Sequence, residues 1–171
     1  MRTKHAIAIV FVAAFAVTAA AAPASPTHAK VMLRATSLGQ VLADARGRTL
    51  YLFEADRSAK SACYGKCAAA WPPYLTGASP LAGSGVKQGL LRTAKRSDGR
   101  LQVVYGGHPL YFFSGDVRSR SLKGEGIEHF GGGWYAVSAA GKKIEPGASG
   151  GTTTTPPPDQ GGGGYGGGYG P

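Results

Sequence analysis

Cysteine occurs only twice in this 171-residue chain, at Cys63 and Cys67. No cysteine lies near the N-terminal apolar segment, which excludes a lipid-modified N-terminus. The spacing is C-x3-C rather than the C-x-x-C of thioredoxin-like redox sites, and residue 68 is Ala, so the haem-attachment run C-x-x-C-H is absent. Histidine is scarce too. His28, His108 and His129 are the three beyond residue 20, too scattered to nominate a general base. Zinc would need more than Cys63, Cys67, His108 and His129 offer at these spacings. No Ser-His-Asp spacing and no phosphate loop argues for an enzyme, and no cofactor motif is present. No segment carries a long 3.6-residue amphipathic period, which leaves β structure as the reading of the central chain. Acidic residues number only 9 against 19 Lys and Arg.

The ends of the chain differ from its middle. Arg2 and Lys4 precede an apolar run from Ala6 to Ala22 broken only by Thr18, and Thr27-His28-Ala29 supplies small residues where signal peptidase tolerates them. Residues 1–29 therefore read as an export signal cut after Ala29. The rival is a retained anchor, but 17 residues is at the lower limit for a span and Pro23 and Pro26 follow. After cleavage no transmembrane span is expected. Residues 147–171, rich in Gly, Thr and Pro, read as a disordered tail that buries too little apolar surface to offset its ordering entropy. Tyr165 and Tyr169 within it read either as weak stickers or as part of a solvated tail. Without Arg2 and Lys4, 17 basic and 9 acidic residues remain, a net charge of +8. That balance points to an anionic cell-envelope polymer or surface as partner. Arg34, Arg46, Arg48, Lys60, Lys87, Lys95, Arg96, Arg118, Arg120 and Lys142 are scattered along the sequence, which is also the pattern of an ordinary solvated surface, and sequence-specific nucleic-acid recognition is not expected.

Residues 30–146 form the folding unit, and they contain a repeat. VLADARGRTLYLFEAD (41–56) aligns without a gap on LQVVYGGHPLYFFSGD (101–116), so that Tyr51, Phe53 and Asp56 match Tyr111, Phe113 and Asp116. Ser61 matches Ser121, and Trp71 matches Trp134 after a short insertion, so the copies span 41–71 and 101–134. Short apolar runs separated by Asp44–Gly47, Ser97–Gly99 and Gly106-Gly107 are hairpin signals. The fold class is mainly β: one compact domain of two homologous antiparallel β-meander halves, with a short helical turn around the C-x3-C segment.

In a strand, Tyr51 and Phe53 share one face while Leu50 and Leu52 share the other. A segment apolar on both faces belongs inside a core, so the aromatics read as packing residues. Asp56 and Asp116 then sit where the chain leaves the strand, able to accept backbone N–H bonds or reach a tyrosine hydroxyl. The alternative is a pair of carboxylates on a cation, although calcium takes more oxygens than one motif carboxylate per copy supplies. An exported chain meets an oxidising compartment, so Cys63 and Cys67 read as a disulfide; on a helical turn their Cα atoms would lie roughly 6 Å apart, within disulfide reach.

The hexapeptides YLFEAD and YFFSGD, with the segment Ser61-Ala-Cys63-x3-Cys67-Ala68-x2-Trp71-Pro72-Pro73, resemble a bacterial secreted-repeat family of predicted lipoproteins with a Y-x-aromatic-x-x-D motif. The resemblance covers roughly residues 35–145. This chain departs from the lipoprotein members in lacking the lipobox cysteine, so lipid anchoring does not carry over. The resemblance implies an extracytoplasmic protein and assigns no mechanism. Two function classes follow: a non-catalytic binding or structural module of the envelope, and a redox- or metal-associated protein using Cys63, Cys67, His108, His129 or the motif aspartates.

Overall fold

In the computed structural model, which describes residues 27–145, glycine turns cut the chain into short strands. Residues 1–26, most of the expected export signal, and residues 146–171, with the expected tail, lie outside the described residues. β1 (Lys30–Thr36) and β2 (Gly39–Asp44) form an antiparallel hairpin running from Val31 opposite Asp44 to Thr36 opposite Gly39. Its counterpart is β6 (Leu91–Lys95) with β7 (Leu101–Tyr105), from Leu91 opposite Tyr105 to Lys95 opposite Leu101. Each hairpin turns once more. The first enters β3 (Tyr51–Phe53); the second enters β8 (His108–Pro109). Between them lie the helical turn α1 (Lys66–Ala70), β4 (Leu75–Thr76) and β5 (Leu81–Ala82). The closing hairpin is β9 (Ile127–His129) with β10 (Gly132–Ala136).

The expected class is seen: mainly β, largely antiparallel, two repeats, and a helical turn beside the disulfide. The halves are interleaved rather than laid side by side. β3 of the first copy pairs with β10 of the second, and β4 pairs with β7. The strand orders are β2-β1-β5, β3-β10-β9 and β4-β7-β6, with β8 on β7. The β1–β5 pair is parallel, because the chain crosses over between the copies before returning to β1. Thr27 to Ala29 join this edge: the Thr27 carbonyl accepts the Gly77 N–H at 2.9 Å and the Ala29 carbonyl accepts the Leu81 N–H at 2.8 Å.

The ungapped alignment hides a one-residue slip. The Leu50 N–H donates to the Leu42 carbonyl, but the Leu110 N–H donates to that of Val103, so the first copy has one more residue in its turn. Asp44 fixes that longer turn. Its Oδ1 accepts the Arg46 and Arg48 N–H groups, both at 2.9 Å.

Two apolar clusters lie on opposite faces of β3. Leu50 and Leu52 point into one with Val31, Leu42, Tyr74, Leu91, Val103 and Leu110. Tyr51 and Phe53 point into the other with Trp71, Tyr111, Trp134 and both cysteines. A strand covered on both faces needs apolar residues at successive positions, which accounts for the run Leu50–Phe53.

Candidate functional site

The motif side chains meet where the two copies touch. The Tyr51 and Tyr111 backbones pair with each other, N–H to carbonyl, at 2.9 and 3.0 Å. Their hydroxyls then cross. Tyr51 Oη donates to Asp116 Oδ2 at 2.7 Å, and Tyr111 Oη donates to Asp56 Oδ2 at 2.8 Å. Each aspartate thus serves the tyrosine of the other copy. The second carboxylate oxygens are used locally: Asp56 Oδ1 accepts the Ala62 N–H at 2.7 Å, and Asp116 Oδ1 accepts the Lys123 N–H at 2.9 Å.

The phenylalanine rings obey the same exchange, whereas each tyrosine ring meets the tryptophan of its own copy. Phe53 stacks on Trp134 with centroids 4.1 Å apart, Trp134 on Trp71 at 3.9 Å, and Trp71 packs on Phe113 at 4.4 Å. Tyr51 meets the Trp71 ring edge-on at 5.6 Å, and Tyr111 meets Trp134 at 5.2 Å. Each phenylalanine therefore packs on the other copy's tryptophan. Burying one such ring removes on the order of 150–250 Å² from water, worth about 4–6 kcal/mol at about 25 cal/mol per Å². A charge-assisted hydrogen bond contributes about 1.5–3 kcal/mol. The rings accordingly hold the copies together, and the tyrosine–aspartate bonds set their register. Gly124 gives the stack room: a Cβ there would lie 2.8 Å from Tyr51 Cζ and 3.0 Å from the Trp71 ring.

Burial dominates the electrostatics. It raises the Tyr51 and Tyr111 hydroxyls well above the usual phenol range, and the aspartate beside each adds to the effect. Burial also pushes the Asp56 carboxyl up to about 6, against the opposing hydrogen bonds from Ala62 and Tyr111 and the charges of Arg96 and Arg57.

A buried arginine backs the first aspartate. Arg96 Nη1 donates to Ser61 Oγ at 2.8 Å and to Gln102 Oε1 at 2.6 Å, and its Nη2 donates to the Cys63 carbonyl at 2.7 Å. Ser61 Oγ also stands 2.7 Å from the Tyr111 hydroxyl oxygen. Cys63 and Cys67 are joined as a disulfide with Cα atoms 5.2 Å apart, which ties α1 to this network. Arg96, one of the residues scattered along the sequence as surface charge, is buried here, as is Gln102, which carried no site signal in the sequence. An arginine and a glutamine at strand ends look like surface residues until the sheet is closed.

The remaining candidates do not converge. His108 is in β8 and His129 in β9, which belong to different sheets. Burial and the nearby Lys142 lower the His108 pKa. Among the described residues no group of three or more His, Cys, Asp or Glu is placed to hold a metal ion. No helix among them is long and apolar enough to cross a membrane. Three basic residues that are scattered along the sequence, Arg34, Arg46 and Arg120, line one cavity of about 310 Å³ beside the motif centre.

A family model described as a secreted repeat of unknown function matches residues 32–74 and 92–138, slightly more than half of the chain. No curated protein and no solved structure matches it.

Proposed function

The chain belongs to this family of secreted repeats, and from that premise we propose that it is a non-catalytic module that holds an anionic cell-envelope polymer through its basic surface. The observation that carries this reading is the use made of the motif. Tyr51, Tyr111, Asp56 and Asp116 are engaged in the crossed bonds between copies, and the two cysteines in each other. The motif residues best suited to chemistry are thus engaged in joining the halves, and the cysteines in a local bridge within the first copy. Surface charge remains, and the chain without Arg2 and Lys4 carries +8. Family membership places the protein outside the cytoplasm, where wall polymers and lipid head groups are commonly anionic. Exposed charges attract such partners over about 10 Å at 0.1 M salt.

Retention on isolated cell envelope across a salt series tests the reading. Binding should fall steeply between low and moderate salt. Retention that ignores salt, or no binding at low salt, would overturn it.

A further inference from the structure

The two motif aspartates are backed by different arginines, and the arginines are not equally satisfied. Arg96, near Asp56, has donor bonds from Nε, Nη1 and Nη2, to Asp98, to Ser61 and Gln102, and to the Cys63 carbonyl. Arg34 stands near Tyr51 and Asp116 in the other half. Its Nη2 donates to Thr49 Oγ1 at 2.6 Å, and Thr49 in turn donates to the Ser121 carbonyl at 2.5 Å, so the guanidinium is held in place. Its Nε is buried and has no partner among the described residues. A buried N–H without an acceptor is costly, and native proteins leave few of them.

The cavity that Arg34 lines is formed by the Asp44–Gly47 turn and the loop at Ser119 and Arg120. The Arg120 N–H donates to the Gly47 carbonyl at 3.0 Å, which docks the loop on the turn. Arg120 adopts φ 69°, a left-handed conformation that a non-glycine residue takes only where its surroundings impose it. Arg46 and Arg120 complete the cationic lining. Neither they nor Arg34 forms an ion pair among the described residues, whereas Arg48, Arg96, Arg100 and Lys143 all do. Asp44 also borders the cavity, but its carboxylate is engaged by Arg48 at 2.7 Å and by two backbone N–H groups. Asp116 is likewise engaged by Tyr51 and Lys123. Burial and the charge of Arg120 both lower the Arg34 pKa, while Tyr51 and Asp116 oppose them.

We infer that the cavity lined by Arg34, Arg46 and Arg120 is an oxyanion site that seats one phosphate group of a polymer phosphodiester. Guanidinium forks match phosphate oxygens in two-point bonds, and three forks around one cavity exceed what the two oxygens of a carboxylate can use. A phosphate held by Arg46 and Arg120 stands beside the Arg34 guanidinium, whose enclosed Nε–H reports the added charge. The inference rests on the polyanion reading above for the source of the phosphate, and it narrows that reading from diffuse charge to one place.

The test compares two charge-matched double variants on the full exported chain. Arg46→Gln/Arg120→Gln removes two exposed side chains that make no side-chain hydrogen bond among the described residues, so the fold should persist. Arg92→Gln/Lys95→Gln removes the same charge from β6. The probes are a poly(glycerol phosphate) chain, followed by calorimetry, and inorganic phosphate, followed by the NMR shift of the Arg34 Nε–H. At moderate salt the first variant should bind the polymer roughly tenfold or more weakly, and the second about twofold. Inorganic phosphate should shift the Arg34 Nε–H in the parent and in the β6 variant only. Equal weakening in both variants would overturn the site while sparing the polyanion reading. Failure of the parent to bind polymer at low salt would sink the polyanion reading. The site would then be supported if phosphate still shifts Arg34 in an Arg46- and Arg120-dependent way, and overturned if it does not.

Discussion

Replacing Asp56 by Asn should reveal a buried carboxyl that costs stability when it ionises. The carboxyl is pushed from 3.8 up to about 6, chiefly by burial. A folded-state value above the unfolded one means that the folded state keeps its proton longer. The stability from this group is therefore fully present below pH 3.8 and is lost as pH rises through about 6. A shift of about two units corresponds to about 3 kcal/mol, of which about 2 kcal/mol falls between pH 4 and pH 7. Asn keeps an acceptor for the Ala62 N–H and cannot ionise. Its amide donates to the Tyr111 oxygen, and the Tyr111 proton then turns to Ser61 Oγ, 2.7 Å away. Urea unfolding of both proteins from pH 4 to pH 7 isolates the effect, because His108 and Glu125 titrate in both and cancel in the difference. The variant should gain about 2 kcal/mol on the parent across that range. A flat difference would show that the bonds from Ala62 and Tyr111 offset burial in full, and a difference of opposite sign would show that they exceed it.

Other changes to the same centre have separate signatures. Tyr51→Phe and Tyr111→Phe each leave one carboxylate oxygen without its donor and should cost about 1.5–3 kcal/mol in thermal or urea unfolding, with coupling to Asp116 and Asp56 respectively in double-mutant cycles. The Cys63–Cys67 bridge closes a small loop, so its reduction should cost about 2 kcal/mol; intact mass should show alkylation of both cysteines only after reductant and denaturant. A chain beginning at Lys30, as cleavage after Ala29 would leave it, lacks the bonds of Thr27 and Ala29 to Gly77, Thr76 and Leu81. It should melt below a chain beginning at Thr27, at about 0.5–1.5 kcal/mol per bond, and N-terminal sequencing of exported protein would show which of the two is made.

Local signals carry the β class and most of the turns. Gly106-Gly107 and Ser97–Gly99 turn where glycine relieves a positive φ, here 57°, 89° and 83°. The apolar run before Pro72 gives a helical turn because nothing in Lys66–Ala70 opposes it and the prolines stop it. The exchange between copies is not written locally. Spacing alone does not say whether Asp56 serves Tyr51 or Tyr111, which is 55 positions away, because both arrangements put a carboxylate at a strand end. The one-residue slip is hidden for a related reason: β2 and β7 are apolar at successive positions, so either register looks plausible in one dimension. Arg34, Arg46 and Arg120 read as scattered because β1, a turn and a distant loop carry them.

The spacing of the motif follows from the exchange. Tyr and the aromatic residue stand two apart, which puts both on one face of β3 or its counterpart. The three residues after the aromatic make a turn closed by the Asp56 N–H on the Phe53 carbonyl at 3.2 Å, and by the Asp116 N–H on the Phe113 carbonyl at 3.1 Å. That turn carries the carboxylate past the strand end. Because the Tyr51 and Tyr111 backbones pair antiparallel, the strand end of one copy lies beside the tyrosine of the other. A single copy would hold a tyrosine without its carboxylate, a carboxylate without its tyrosine, and a phenylalanine without its tryptophan. The smallest unit that satisfies all three is a chain with both copies, which is why two imperfect repeats make one domain here.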